Sequence, residues 1–201
     1  AVPLKNTAIL RLLLYAPGYH KTRLLYGLLS IGKALLLLCS KVGLLVPVLS
    51  KQEKSGMMSP ILHRMPEPCA ALAHQQLQEL EKINDHRRTL TKHIMKEVEK
   101  RGWTMPQGIE ASLPLQKFPL LVENPDGVRK KLKKQNIYLD DGWTGAVVCP
   151  RTVDLEATNY IAGSCPHAEL IARSILSVPT HPTMTQKQTK ALLHALSSLL
   201  G

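Results

Sequence analysis

Residues 64–102, RMPEPCAALAHQQLQELEKINDHRRTLTKHIMKEVEKRG, carry the most regular helical pattern in the chain. Ala73, Leu77, Leu80, Ile83, Leu90, Ile94 and Val98 recur at three- and four-residue steps, with one gap, and so line one apolar stripe. Pro66 and Pro68 suit a helix start, where a missing N–H costs nothing, and Gly102 suits a helix end. The spacing predicts a single long helix between them. His74, His86 and His93 lie twelve and seven residues apart, which gives no i, i+4 ligand pair and no metal site. His86, followed by Arg87 and Arg88, reads as part of a solvated polar face.

From Trp103 the pattern changes. Leu113 to Glu123, LPLQKFPLLVE, is strand-like, with two prolines that favour an edge. Asn124 to Gly127 turn the chain into the helix VRKKLKKQN. Ile137 to Leu139 and Thr144 to Cys149 read as short extended stretches either side of an Asp140, Asp141, Gly142 turn. A further helix is expected from Pro166, capped by Ser164, with Glu169 and Arg173 spaced as an i, i+4 pair. Ala168, Ile171, Ala172, Ile175 and Leu176 form its expected buried face, and Pro179 its stop. Thr185 caps a last helix, Gln186 to Leu200. Strands mixed with helices in this order define an α+β arrangement, a small antiparallel sheet covered by helices.

The first quarter differs in kind. The chain carries a net charge of +11, and Lys5, Arg11, Lys21, Arg23, Lys33, Lys41 and Lys51 all precede its first acidic residue, Glu53. Leu25 to Ser50, LYGLLSIGKALLLLCSKVGLLVPVLS, is strongly apolar, but Lys33 and Lys41 interrupt it. Its unbroken run falls far below the roughly 20 residues that cross a bilayer. A helix in the membrane interface and a helical hairpin packed on protein both fit. Pro17 and Gly18 would separate a first helix, Thr7 to Tyr15, from a second that Gly43 and Pro47 end, and Lys51 to Pro60 reads as a linker. The organisation expected is therefore an apolar basic helical segment at 1–55, a linker and long helix at 56–102, and an α+β domain at 103–201.

Cys39, Cys69, Cys149 and Cys165 form no CxxC pair and no dense framework, as expected of reduced thiols in the cytoplasm. Cys165 sits at a helix start, but no histidine is placed by sequence as its base. The basic run Arg129 to Lys134 lacks stacking aromatics, which argues for a solvent-facing helix and against nucleic acid. His181, in a loop between Thr180 and Pro182, is the better candidate for a functional contact.

The string GSCPHAELIARSILSVPTHPTMTQKQTKALLHAL resembles the C-terminal end of DegT/DnrJ/StrS-type aminotransferases, where a CPxAE helix precedes a PTHP or PLHP loop and a last helix. RMPEPCAALAHQQLQELEKINDHRR is similar to the segment in which an RM pair starts the helix linking the family's large and small domains. GWTGAVVCPRTVDLEATNY looks like the branch that carries an apolar basic insertion before that helix. The resemblance implies the C-terminal small domain of a fold-type I, pyridoxal-phosphate-dependent transferase. It implies a homodimer that moves an amino group from glutamate to a keto sugar nucleotide, in polysaccharide or cell-envelope sugar biosynthesis.

In such enzymes the aldimine lysine and the acid that pairs with the pyridinium nitrogen belong to the large domain, which precedes the matched region. Lys5 lacks the glycine-rich continuation that follows that lysine. No catalytic, cofactor-binding or metal residue is therefore assigned, and no pyridoxal phosphate is expected on this chain without its large domain. Many members place an asparagine two residues before the RM pair, reaching the cofactor phosphate of the neighbouring subunit; here Leu62 stands there. Arg64 is left as a domain-junction candidate and His181 as a substrate-side one. A rival class is a non-catalytic module that docks on a membrane, at its cytoplasmic face, or on another protein through residues 1–50.

Overall fold

A computed structural model describes residues 1–25, 31–44, 51–57, 63–139 and 145–201. The chain forms two compact units, Ala1–Leu77 and Gln78–Gly201.

In the first unit, α1 spans Asn6–Leu24 and α2 spans Ile31–Lys41, and the two pack together. The expected break at Pro17 does not occur: α1 runs through it. A proline inside a helix removes one i to i−4 bond, and here the turns on either side continue regardless. Gly43 does end α2. At φ +70° it adopts the left-handed conformation that favours glycine, and the Leu44 N–H reaches back to the Cys39 carbonyl. Pro47 and Leu62 lie outside the described residues. The linker contains one helical turn, α3 (Lys51–Lys54). Val2 and His63 form an isolated parallel bridge, in which the Arg64 N–H donates to the Val2 carbonyl at 3.0 Å and His63 Nδ1 donates to the same oxygen at 3.2 Å.

The long helix is interrupted at one residue. α4 (Glu67–Gln78) and α5 (Leu80–Arg101) flank Glu79, whose φ of −93° and ψ of 4° depart from helical geometry. Of the predicted stripe, only its C-terminal part is buried: Leu90, Ile94 and Val98 are enclosed, and α4 buries nothing. Gly102, at φ +63°, closes α5 with the Trp103 N–H on the Val98 carbonyl.

The second unit is built on β1 (Lys117–Leu121) and β2 (Ile175–Pro179), paired antiparallel. Register places Phe118 opposite Val178 and Leu120 opposite Leu176, and all four are buried. Alternation by two puts them on one face, where they join Ile94 and Val98 of α5, Val128 and Leu132 of α6 (Pro125–Lys134), and Leu192, Leu193 and Leu196 of α8 (Gln186–Leu200). α7 (Pro166–Ser174) lies against β1. The mixed helix-and-strand class matches the expectation, but the strands do not all fall where predicted. Ile137–Leu139 has no strand pairing, residues 145–149 make a turn and bends, and Thr144 is outside the described residues.

β2 replaces what read as the end of a helix. Ile175 takes φ −73° and ψ 129°, so the chain is already extended there. The Ser174 hydroxyl bonds back to the Leu170 and Ile171 carbonyls, closing α7 one residue earlier. Leu176 and Val178 then gain burial opposite β1 that a continued helix would deny them. At the other end of α7 the cap position belongs to Cys165 rather than Ser164, with no side-chain capping bond. The Thr185 cap is present as a full capping box with Gln188.

Phe118→Ala leaves a cavity where both strands and three helices meet. A loss of about 3–5 kcal/mol is expected in urea unfolding, whereas Leu170→Ala on exposed α7 surface should change the midpoint little.

Candidate functional site

His181 and Arg64 fall in different units, and each is described within its own. Arg64 is exposed, immediately before α4, and its backbone takes part in the Val2–His63 bridge.

His181 begins the loop between β2 and α8, and both ends of that loop are fastened. At the strand end, the fully buried Thr180 hydroxyl donates to the Leu115 carbonyl. At the helix end, His86 of α5 donates from Nε2 to the Met184 carbonyl at 3.0 Å. The Met184 N–H in turn reaches the His181 carbonyl at 2.8 Å, closing a tight turn. His86 is therefore half-buried and structural, not part of a solvated face. Sequence does hold a trace of this: the one gap in the apolar stripe, between Ile83 and Leu90, is filled by His86 and Arg87, both half-buried. The His181 ring is exposed and accepts at Nδ1 from the Thr183 N–H at 3.2 Å, with the Thr183 hydroxyl 2.9 Å away. A neutral imidazole that accepts at Nδ1 carries its proton at Nε2.

Two charged clusters surround the rest of the unit. At the start of α6, the Asn124 side chain accepts from the Gly127 N–H, and Asp126 pairs with Arg129 at 2.7 Å and Arg151 at 3.1 Å. Arg129 is only 8 % exposed, so the basic run is not wholly solvent-facing; the i, i+3 spacing from Asp126 marks the exception. Hydrogen bonding from Arg129 first, then Arg151, holds the Asp126 carboxyl below its ordinary range. Before α7, Glu169 accepts from the Tyr160 hydroxyl at 2.7 Å and the Gly163 N–H at 2.6 Å. The Tyr160 hydrogen bond is the leading cause that lowers the Glu169 carboxyl, and the same bond raises the Tyr160 phenol. Glu169 thus ties the preceding turn to α7, and the predicted partner Arg173 adds only a Coulombic contribution. Cys165 is exposed, all four cysteines are free, and no group of three metal-ligating side chains occurs among the described residues.

A cleft of about 410 Å³ opens between the end of α5, the end of β1, α6 and the end of α8. Glu123, Asn124 and Lys131 line it with polar side chains, and Thr104 with a hydroxyl.

Among solved structures, the fold is similar to a DesV from S. venezuelae in complex with a ketimine intermediate, at 22 % identity and a TM-score of 0.55. It is also similar to a DegT DnrJ EryC1 StrS aminotransferase from Brucella abortus, at 17 % identity and a TM-score of 0.53. Each likeness covers 75 % of this chain and 41 % of the other, so the chain spans well under half of either aminotransferase. At such identities they show the fold alone. The sequence model of the DegT/DnrJ/EryC1/StrS aminotransferase family matches residues 42–197, and the chain belongs to that family. No curated protein sequence matches it.

The family depends on pyridoxal phosphate. The cleft does not fit that group: Lys131 and Glu123 are both exposed along an open groove, and one threonine hydroxyl is no cradle for a phosphate.

Asp126→Asn should cost about 1 kcal/mol near neutral pH, a small figure because the carboxylate is half exposed. A carboxyl lowered in the folded state stabilises above its unfolded pKa and ceases to as pH falls through the folded value. The difference between wild type and variant in urea midpoint should therefore hold at neutral pH, begin to narrow as pH drops below about 4, and close only below the lowered folded value.

Proposed function

We infer that the whole protein is a pyridoxal-phosphate-dependent aminotransferase that passes an amino group from glutamate to a keto sugar nucleotide for polysaccharide or cell-envelope sugars. The family match over residues 42–197 carries this reading. The chain contributes the linking helix and the small domain; a large domain supplies the cofactor site, and the working unit is a homodimer. When bound, the cofactor withdraws electrons from the carbon that loses or gains the amino group.

The residues of this chain have positioning work. The β2–α8 loop is held by Thr180 on one side and His86 on the other, which sets His181 on a supported backbone facing solvent. His181, exposed at the start of that loop, is the side chain offered to a hydroxyl or phosphate oxygen of the sugar nucleotide. Arg64 steadies the junction ahead of α4, where its backbone already holds the chain beside Val2.

The test joins this chain to its large domain in one polypeptide, loads it with pyridoxal phosphate, and follows 2-oxoglutarate released from glutamate. Sustained release is expected only when a keto sugar nucleotide is present; sustained release without one, or none with any keto sugar nucleotide offered, refutes the reading. In that enzyme His181→Ala should raise KM for the sugar nucleotide about tenfold, the size of one lost hydrogen bond, with kcat within about twofold. Unchanged KM would remove His181 from the substrate side. The 201-residue chain by itself should form no borohydride-reducible lysine adduct that turns over.

A further inference from the structure

Among the described residues, nothing covers an apolar stripe on α2 and the turn that follows it. Ile31, Leu35, Leu38 and Val42 are 48 %, 40 %, 57 % and 57 % exposed. At spacings of four, three and four residues they fall within an arc of about 60° on a helix. The face that α2 does cover is a different one: Gly32 is buried, Leu36 and Cys39 are half-buried, and these lie about 100° around the axis. Leu37 and Leu44 add further exposed aliphatic surface. A stripe of this kind on a monomeric surface marks a docking face.

Charge identifies what the face meets. Residues 1–52 hold no aspartate or glutamate, while lysines and arginines recur throughout, among them the exposed Lys21 and Lys41. A protein partner that covered only the aliphatic stripe would leave this one-signed field unanswered, whereas an anionic bilayer meets both needs at once. Lysine stems can lie along the acyl boundary with their ammonium groups among the headgroups. Insertion across the bilayer is not the mode, since α2 is about 16 Å long against about 30 Å of hydrocarbon, and among the described residues no helix is long and apolar enough to cross.

We propose that α2, with the basic residues around it, is a docking surface for an anionic lipid bilayer and lies in the plane of the interface. This stands apart from the transfer reaction.

Co-flotation of the 201-residue chain with vesicles tests it, using phosphatidylcholine alone or with about one-third phosphatidylglycerol. Recovery with the anionic vesicles should exceed that with neutral ones at least about tenfold, and fall sharply in about 0.5 M salt. Leu35→Asp with Leu38→Asp should abolish flotation. Lys21→Glu with Lys41→Glu, two exposed positions that leave the stripe intact, should remove the lipid preference at unchanged helix content by circular dichroism, and so decides the matter even if the aspartate variant misfolds. Equal recovery on both vesicle types, no flotation at all, or undiminished flotation of the glutamate variant overturns the proposal. So does a vesicle-free oligomer that the aspartate variant dissolves, which would make the stripe a protein interface.

Discussion

The second unit depends on two cross-strand contacts, Phe118 with Val178 and Leu120 with Leu176. A two-stranded ribbon of five-residue strands has no independent stability in water, because one face of it stays wet and its backbone bonds are open to competition. Here the apolar face is roofed by α5, α6 and α8, and α7 lies along β1. The strands are separated by more than fifty residues, so their pairing is a long-range contact, of the kind that slows folding. The loop that bears His181 inherits its position from this arrangement. Thr180 follows β2 directly, and its buried hydroxyl is satisfied by Leu115, just before β1.

Much of this was legible in the residues. The C-terminal part of the long-helix stripe, the Gly102 stop and the Thr185 cap each rest on local chemistry, and local chemistry is what a sequence displays, whereas Asn124 to Gly127, read as a turn, hold the cap and the first three residues of α6. β2 was hidden for a physical reason. Ile171, Ala172, Ile175 and Leu176 repeat at helical spacing, yet Leu176 and Val178 also alternate, and only the distant partner β1 decides between the two periods. Phe118 and Leu120 could not announce that choice from sixty residues away. His86 and Arg129 were obscured differently: polar residues next to other polar residues look solvated until the carbonyl or carboxylate they serve is folded against them. For the candidate site, His181 was singled out by its loop, but the anchoring of that loop by His86 was not foreseen.

The family assignment and the local geometry divide the labour between them. Membership of the DegT/DnrJ/EryC1/StrS aminotransferases comes from the match over residues 42–197. What the structure adds is the character of the small domain: its best-made polar contacts, Asp126 with two arginines and Glu169 with Tyr160 and Gly163, fasten turns to helices. Those are bonds that fix a scaffold. Leu72, Leu77 and Leu80, along α4 and at the start of α5, are exposed.

The bridge between Val2 and His63 joins points 61 positions apart. Everything between them is an excursion whose two feet stand side by side. The entropy of closing such a loop rises only logarithmically, by about 0.6 kcal/mol for each doubling of length. The intervening stretch can therefore lengthen, shorten or be exchanged over generations while the point from which α4 departs stays where it is. A change in the length of that segment therefore costs little at the point from which α4 departs.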